Sequence, residues 1–561
     1  MGSGISAALQ VAAVVFVLAV AYVPLGDYMA RVFTGDRDLA VERLLYRAVG
    51  VDPRRGQSWG GYATAVLSFS LVSTVLLYAL QRLQGVLPGN GGKGAVDPSV
   101  AFNTAVSFVS NTNWQSYAPE ATMGNLTQSV GLAVQNFASA AVGLAVAIAV
   151  TRGIAAHRGT AELGNFWVDL VRGIIRILLP LSIIVAIILV AQGAVQSYRS
   201  GFDFVGLDGS AGHGVVGPFA SQEAIKELGT NGGGTYAANS AHPFENPTPL
   251  TNIVEIIALL LIPVCLVRTY STMIARPRQG YTLLSVMGVL FGAILAVTWF
   301  FEERTHGVAA QAAGAMMEGK EQRFGIPASV LFATATTGTS TGAVNSAHDS
   351  FSAGAGGAVI WNMLLGEIAP GGVGSGLYTL LVLAIIAVFV GGLLVGRTPE
   401  FLGKKIGQRE ITLAALSILV MPALVLIGVG ITAILPSTTG FQGNGGDRGT
   451  AGSIHGFSEV LYAYASAANN NGSAFGGLTV TSDWFQISLG VAMWLGRFLP
   501  IVLVLALAGV LASQKPRAES TATLPTSGPL YAGLLTGTVV LVAGLTFFPV
   551  MSLGPIAEAL T

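Results

Sequence analysis

Gly229-Thr-Asn-Gly-Gly-Gly234 is a polar, glycine-rich stretch of the chain, and three further stretches share its character. The other three are Ser110-Asn-Thr-Asn-Trp-Gln115, Thr336-Thr-Gly-Thr-Ser-Thr-Gly342 and Asn469-Asn-Asn-Gly-Ser-Ala474. Non-helical backbone is tolerated at membrane depth only where it is buried in protein or lines a water-filled cavity. Four such segments between apolar spans therefore predict four pore loops around one axis. A cation filter is built in this way, with backbone carbonyls that replace the hydration shell of the ion.

The composition is that of an integral membrane protein. Of 561 residues, 52% are hydrophobic and only 10% are charged, whereas about a quarter of the residues in a soluble domain are charged. Lys plus Arg and Asp plus Glu number 28 each, so the net charge gives no reason to expect a nucleic-acid partner. Cys265 is the only cysteine, which excludes a disulfide within the chain.

Ten apolar segments are long enough to cross a bilayer as helices. They lie near residues 5–25, 62–83, 129–150, 172–194, 250–269, 281–301, 375–396, 411–435, 486–512 and 529–551, and are numbered here as spans 1 to 10. The first has no Lys or Arg before Arg31. Because it lacks the basic region of a cleaved signal peptide, it is predicted to be a retained span.

The distribution of basic residues predicts the orientation. Most of the 28 Lys and Arg residues fall in the loops after spans 1, 3, 5, 7 and 9, and few fall in the connections that hold the four polar segments. Loops rich in Lys and Arg remain on the cytoplasmic side. The polar segments and both chain termini are therefore predicted to lie outside, with all four segments on one face of the membrane.

The polar segments belong to a repeat. Each follows an apolar stretch too short to cross a bilayer, at residues 100–109, 218–228, 326–335 and 457–468, and each precedes another full span. The unit of span, half-helix, polar loop and span thus occurs four times, with predicted limits of 60–152, 170–270, 280–397 and 410–513. Gly or Asn at positions 111, 232, 342 and 472 sets the predicted register. Residues 1–30 and 527–552 are extra spans, and residues 1–561 form a single all-α membrane domain around one pseudo-fourfold pore.

The residue types in the segments suit a monovalent cation. A descending half-helix directs the negative end of its dipole into the membrane, and glycine allows the following backbone to come close to an ion. No segment carries a ring of carboxylates, which argues against a divalent-cation filter. The alternative is a set of ordinary Gly/Asn turns on the outer surface. Four segments that each follow a half-helix, on one predicted side, favour the filter.

Several motifs resemble one known family. They are the first and second polar segments, Asn239-Ser-Ala-His-Pro-Phe-Glu-Asn-Pro-Thr-Pro249, Gly342-Ala-Val-Asn345, His348-Asp-Ser-Phe351, Gly396-Arg-Thr-Pro-Glu-Phe-Leu-Gly-Lys-Lys-Ile406 and Ala468-Asn-Asn-Asn-Gly-Ser-Ala-Phe475. These stretches resemble the potassium-binding A subunit of the bacterial Kdp potassium-transporting P-type ATPase. The resemblance extends from the first span to the last, and the ten-span, four-repeat layout is also that of the family.

The resemblance implies which residues hold potassium. They are Asn111, Thr112, Thr230, Asn231, Gly232, Ser340, Thr341, Gly342, Asn470, Asn471 and Gly472, with Gln115 and Asn113 as support for the filter. Many members of the family have cysteine where this chain has Thr341. That difference is harmless if the backbone carbonyl coordinates the ion, and it leaves the role of the threonine side chain open.

The resemblance also implies partners and a location. The complex would lie in the inner (plasma) membrane of a bacterial cell and take potassium from outside. ATP and Mg²⁺ would bind to a separate P-type ATPase subunit, KdpB-like, assisted by a single-span KdpC-like subunit and a tiny single-span KdpF-like subunit. Potassium would be the only ion bound by this chain.

The motifs that this chain lacks agree with a non-catalytic subunit. The sequence has no Asp-Lys-Thr-Gly phosphorylation motif, no Walker A sequence and no His/Cys cluster with the spacing of a transition-metal site. Energy for uphill transport must therefore come from a partner or from an ion gradient. The alternative to a pump subunit is a stand-alone potassium channel or a gradient-driven transporter of the same superfamily.

Two further features complete the sequence-based predictions. Arg497 lies about a dozen residues into span 9, at a depth of roughly 18 Å, where a charge is a functional candidate by default. It is predicted either to block free passage below the filter or to pair with a buried carboxylate or loop carbonyls.

Residues 437–453 are rich in glycine and polar residues, which is typical of a mobile outer loop without a function of its own.

Overall fold

The computed structural model describes residues 3–157, 159, 161–199, 201–303, 316–436, 451–516 and 523–560. Within these ranges, ten helices are long and apolar enough to cross a membrane. They are Gly4–Thr34, Trp59–Arg82, Thr127–Ala155, Phe166–Ala191, Pro249–Met273, Pro277–Glu302, Ser375–Leu394, Gln408–Ile434, Asp483–Ser513 and Pro529–Leu553. The prediction of a helical membrane protein with ten spans is confirmed, and the ten helices correspond one by one to the predicted spans.

Local chemistry sets the beginning of many of these helices. Pro249, Pro277 and Pro529 occupy the first turn of spans 5, 6 and 10, where the missing amide hydrogen costs nothing and the fixed φ suits a helix. The Ser58 and Ser482 side chains cap spans 2 and 9 by accepting hydrogen bonds from backbone amides of the first turn. Such caps satisfy amide groups that have no partner within the helix.

The ten spans form an inner and an outer group. In spans 3, 5, 7 and 9, between 61% and 78% of the residues in the apolar window are buried inside the protein, against 11% to 33% in the other six. Each inner span is the second full helix of a predicted repeat. The inner group therefore encloses the centre of the molecule, while the outer group presents its apolar side chains to lipid.

A short helix precedes each polar segment. These four pore helices are Pro98–Val109, Phe219–Leu228, Gly325–Gly338 and Ala451–Asn469, and they cover the predicted half-helices. The fourth begins directly after residues 437–450, so most of the predicted 437–453 loop lies outside the described residues.

The third repeat departs from the prediction in one place. Its second helix is broken into Ala353–Leu364 and Ser375–Leu394, with residues 365–374 as a buried irregular loop between them. The predicted span at 375–396 is only the second half of this element. The loop contains four glycines and Pro370, and glycine and proline both disfavour helix interiors.

The remaining elements are short. The helices are Ala40–Val49, Pro119–Thr122 and Pro555–Leu560, with single 3₁₀ turns at Gln84–Val86, Asn239–Ala241 and His348–Ser350. Wide turns at Thr127–Leu132 and Gly173–Leu178 lie within spans 3 and 4. Two antiparallel hairpins pair Phe202–Val205 with Ala211–Gly214 and Glu400–Phe401 with Lys404–Lys405.

Candidate functional site

The four polar segments have the same backbone geometry directly after their pore helices. One residue within two positions of the end of each pore helix is left-handed, with φ of 71° at Asn111, 48° at Thr230, 52° at Ser340 and 60° at Asn470. The next amide then donates to the carbonyl five residues earlier, over 2.8–3.1 Å: Thr112 to Ser107, Asn231 to Lys226, Thr341 to Thr336 and Asn471 to Ser466. The loops are therefore equivalent residue by residue.

This equivalence corrects the predicted register. The predicted register pairs Asn111 with Gly232, Gly342 and Gly472, whereas the hydrogen-bond pattern aligns Asn113 with these three glycines. Asn113 is itself left-handed, with φ of 57°. Asparagine tolerates that conformation better than most residues, so the first loop has Asn where the other three have Gly.

Hydrogen bonds connect the loops into a closed ring. Asn111 Nδ2 donates to the Thr230 carbonyl over 2.8 Å, and the Gly342 amide donates to the Asn231 carbonyl over 3.0 Å. Asn471 Nδ2 donates to the Thr336 carbonyl over 3.1 Å, and Asn470 Nδ2 donates to Thr112 Oγ1 over 3.0 Å. Each loop thus contacts its two neighbours, and the first and fourth close the circle.

The ring leaves no space for side chains at its glycines. A Cβ at Gly342 would lie 2.8 Å from the carbonyl carbon of Gly472, a Cβ at Gly232 would overlap the Gly342 backbone, and one at Gly472 would overlap the Thr112 carbonyl oxygen. Gly232 and Gly472 also have φ of +95° and +104°, a conformation that L side chains rarely adopt. Close approach of the loops therefore requires glycine at these positions.

The predicted residues Thr341 and Asn471 serve their own loops and the neighbouring pore helix. Thr341 Oγ1 lies 2.9 Å from Thr339 Oγ1, so its hydroxyl is held within the third loop. Asn471 Nδ2 donates to the Thr336 carbonyl over 3.1 Å, and its Oδ1 accepts from the Ser473 amide over 3.1 Å. The side chains of both residues are thus engaged by protein, which leaves oxygen atoms of the backbone as the candidate ligands.

A cavity of about 830 Å³ lies over the ring on the side from which the pore helices descend, and Asn113, Gln115, Gly342 and Gly472 line it. Gln115 Nε2 donates to the Gly234 carbonyl over 3.0 Å, so this side chain joins the first loop to the second. Neither amide atom of the buried Asn113 side chain has a hydrogen-bond partner among the described residues. The two predicted support residues thus lie at the mouth of the ring.

Arg497 lies on the opposite side of the ring. It lines a small cavity of about 100 Å³ together with Ser340 and Asn470, the left-handed residues of the third and fourth loops. Its side chain is buried in the protein, and its Nη2 has no hydrogen-bond partner among the described residues. The arginine is therefore a fixed charge at the inner end of the ring.

Sequence reasoning missed the buried loop at residues 365–374, which lies against the inner end of the ring. The Gly371 amide donates to the Gly338 carbonyl over 2.7 Å, and the Val373 amide donates to Thr230 Oγ1 over 2.9 Å. Ser340 Oγ donates to the buried carboxylate of Glu367. The signal was the run Gly366-Glu-Ile-Ala-Pro-Gly-Gly-Val-Gly374 directly before an apolar span.

The arrangement suits a desolvated monovalent cation. The ring residues are neutral, their oxygens are backbone carbonyls, hydroxyls and amides, and four helix C-termini end at it. Partial negative charges at helix C-termini stabilise a cation without full carboxylate charges. The structure places ten of the eleven predicted residues in buried positions, with Gly472 half-buried.

Comparisons with known proteins identify the family of this chain. The family model described as "Potassium-transporting ATPase A subunit" matches residues 12–560. A protein of Rhodococcus erythropolis named "Potassium-transporting ATPase potassium-binding subunit" is 70% identical over 560 residues, and one of the same name from Mycobacteroides abscessus is 68% identical over 570, both with all of each chain covered. The potassium transporter TrkH of Vibrio parahaemolyticus has a similar fold, with a TM-score of 0.52 at 13% identity over 90% of this chain and 97% of that one.

Proposed function

This chain belongs to the family of potassium-transporting ATPase A subunits, and we propose that it binds potassium in the ring formed by its four polar loops. It is the potassium-binding, non-catalytic subunit of a potassium-transporting ATPase. Potassium reaches it from the outer side, is selected at the ring and is passed toward the subunit that hydrolyses ATP.

The closed circle of loop-to-loop hydrogen bonds is the observation that carries this proposal. It holds four sets of oxygen atoms at fixed separations around one axis. A fixed cage binds an ion whose radius matches it more strongly than a smaller ion, because the smaller ion cannot contact all the ligands at once. The ligands are drawn from Asn111, Thr112, Thr230, Asn231, Gly232, Ser340, Thr341, Gly342, Asn470, Asn471 and Gly472, and Asn113 and Gln115 support them.

The proposal extends to the partners of this chain, and the names of the relatives support it as far as membership of a potassium-transporting ATPase. A subunit of a potassium-transporting ATPase requires a catalytic partner, so ATP and Mg²⁺ belong to a P-type, KdpB-like subunit, with KdpC-like and KdpF-like single-span subunits beside it. The complex lies in the inner (plasma) membrane of a bacterial cell. Both termini of this chain face outward, because the loops on the opposite side carry most of the basic residues.

The repeats divide the chain at 60–152, 170–270, 280–397 and 410–513, with 1–30 and 527–552 as extra spans of the single 1–561 domain.

Arg497 at the inner end of the ring is the residue that would distinguish this chain from an open channel. A fixed positive charge there opposes passage of a cation straight to the cytoplasm, so the ion leaves toward a partner.

Reconstitution tests the function against its alternative, a stand-alone channel or gradient-driven transporter. Proteoliposomes containing this chain alone are expected to take up no ⁸⁶Rb⁺ or potassium, whereas those containing the whole complex take it up only with ATP. An EDTA-treated sample of the complex, which lacks Mg²⁺ for ATP hydrolysis, serves as the matched control. Uptake by the chain alone, without ATP, would overturn the pump assignment.

A further inference from the structure

Lys226 is a fully buried lysine in the second pore helix, and every donor of its ammonium group is used. Its Nζ lies 2.6 Å from Glu223 Oε2, 3.2 Å from Glu245 Oε2 and 3.0 Å from Asn239 Oδ1. An ammonium group has three donors, so these three acceptors fix both its position and its direction. A buried charge without such partners would be strongly destabilising.

Asn239 connects this lysine to the second filter loop. Its Oδ1 accepts from Lys226, and its Nδ2 donates to the carbonyl of Gly233. The residue is left-handed, with φ of 55°, which asparagine tolerates. A hydrogen bond that begins at a charged donor polarises the next one in the chain, so the ammonium strengthens the contact between Asn239 and Gly233.

Two of the other three repeats contact the same loop position through a hydroxyl. Lys226 is equivalent to Ser107, Thr336 and Ser466. The backbone carbonyl of each of these four residues accepts a hydrogen bond from the amide five residues later in its own repeat. Ser107 Oγ donates to the Trp114 carbonyl over 3.0 Å, and Thr336 Oγ1 lies 2.6 Å from the carbonyl oxygens of both Ala343 and Thr341. Trp114 and Ala343 occupy the place of Gly233 in their loops. In the fourth repeat Ser466 Oγ instead accepts from the Gly472 amide over 2.9 Å.

The second loop also has the greatest need of such support. It contains Gly232, Gly233 and Gly234 in succession, so no side chain of its own restricts the backbone. Glu245 extends the support outward, because its Oε1 accepts from the Thr235 amide over 2.8 Å. One lysine thus secures the loop and the segment that follows it.

We propose that Lys226 is a positioning residue of the filter, which holds the second loop through Asn239 and Gly233 and thereby sets the preference for potassium over smaller cations. The inference rests on the proposed function of the ring. The lysine touches no transported ion itself. Its effect is to keep the three glycines of the loop in one conformation, so that their carbonyls stay at the separation that suits potassium.

The test uses the reconstituted complex with Lys226→Met or Asn239→Gly, since glycine tolerates the left-handed backbone at position 239. We expect each variant to lower the apparent potassium affinity of ATP hydrolysis at least tenfold and to raise the ratio of sodium-stimulated to potassium-stimulated hydrolysis. The double variant should differ little from either single one, because both act through one chain of contacts. Asn239→Gly keeps the lysine with its glutamates, so it gives an answer even where Lys226→Met does not assemble.

Lys320→Met is the matched control. Lys320 is also buried, with its Nζ 2.6 Å from Glu302 Oε2, but it has no hydrogen bond to a carbonyl of the second loop among those the structure describes. Its loss should lower thermal stability without changing the sodium-to-potassium ratio. An unchanged ratio in both test variants would overturn the inference. A wild-type complex that potassium does not stimulate would overturn the proposed function instead.

Discussion

Single residues at the ring carry its geometry. Gly232 combines a φ of +95° with direct contact to the Gly342 backbone, so two independent reasons exclude a side chain there. Gln115 acts differently, since its amide joins the first loop to the second from the mouth of the ring. The first residue limits how close two loops approach, and the second limits how they are oriented.

Gly232→Ala should weaken potassium binding about tenfold and reduce its discrimination from other monovalent cations. The new methyl group forces the second and third loops apart, and alanine at positive φ costs about 1 kcal/mol or more, comparable to the 1.4 kcal/mol of a tenfold affinity change. Potassium-dependent ATP hydrolysis of the purified complex measures both effects. Gly476→Ala is the control, since a Cβ there meets open space. Equal kinetics for the two variants would remove the second loop from the filter.

Gln115→Arg should lower the apparent potassium affinity by tenfold or more. Two unit charges about 4 Å apart repel by about 4 kcal/mol at an effective dielectric constant of about 20, and water in the outer cavity reduces that value. Gln115→Met removes the hydrogen bond to Gly234 without adding charge, which costs about 1 kcal/mol. Titrations of transport with potassium separate the two. If the methionine variant is impaired as much as the arginine variant, charge at this position has no influence on the ion.

Among the elements, the outer end of the fourth pore helix is tied to two distant parts of the chain. His455 Nε2 lies 2.9 Å from Asp349 Oδ1, after the third loop, and its Nδ1 lies 2.7 Å from Glu558 Oε1 on the C-terminal helix. Burial alone would lower the pKa of His455, but the hydrogen bonds and charges of Asp349 and Glu558 outweigh it and raise that pKa to about 10. The imidazolium therefore joins three elements at neutral pH.

His455→Gln should destabilise the complex in a pH-dependent way. The histidine pKa rises from its ordinary 6.5 to about 10 on folding, so its stabilising effect is complete below pH 6.5 and is lost as the pH rises through 10. The gap in melting temperature between wild type and variant should be widest near pH 6 and should close toward pH 10. His213→Gln, at an exposed pair with Asp203, is the control. A gap that stays constant over this range would show that the imidazole charge does not hold these elements together.

The ten spans and four pore helices could be predicted from apolar length and from half-helices that precede polar segments. The helix Ala353–Leu364 could not, because it is too short for a span and precedes a glycine-rich run typical of a surface turn. The predicted register of the first loop was wrong by two residues, at Asn111 instead of Asn113, because both asparagines are left-handed and Asn and Gly each tolerate that conformation. Lys226 was overlooked since its partners Asn239 and Glu245 are brought to it only by tertiary folding.

For the chain as a whole, the separation of the outer cavity from the cytoplasm depends on what lies under the ring. Arg497 lies at this end of the ring, and the loop at residues 365–374 covers the same end. Both features belong to the third and fourth repeats. The path below the ring is thus asymmetric, although the ring itself is built from four equivalent loops.

Arg497→Met should make the assembled complex leak potassium without ATP, or hydrolyse ATP without transport. Methionine has similar length but removes the charge that opposes the ion. Passive ⁸⁶Rb⁺ efflux and the ratio of ions moved to ATP hydrolysed provide the measurement, and Arg497→Lys, which keeps a cation, is the control. A purely structural arginine predicts loss of assembly instead, visible as missing subunits after detergent extraction. A methionine variant that assembles, stays tight and pumps at the original ratio would contradict the blocking role.

Of the four equivalent positions Ser107, Lys226, Thr336 and Ser466, only the second carries a lysine. This difference affects how the sequence can evolve. In a channel assembled from four identical chains, any change at one position is copied four times, and a lone lysine would become four charges packed around one axis. In a chain that carries all four repeats itself, a mutation occurs only once in the ring. Each quarter can acquire its own substitution, a mutation changes the local charge by one unit rather than four, and selection can adjust one side of the ring while the other three are kept.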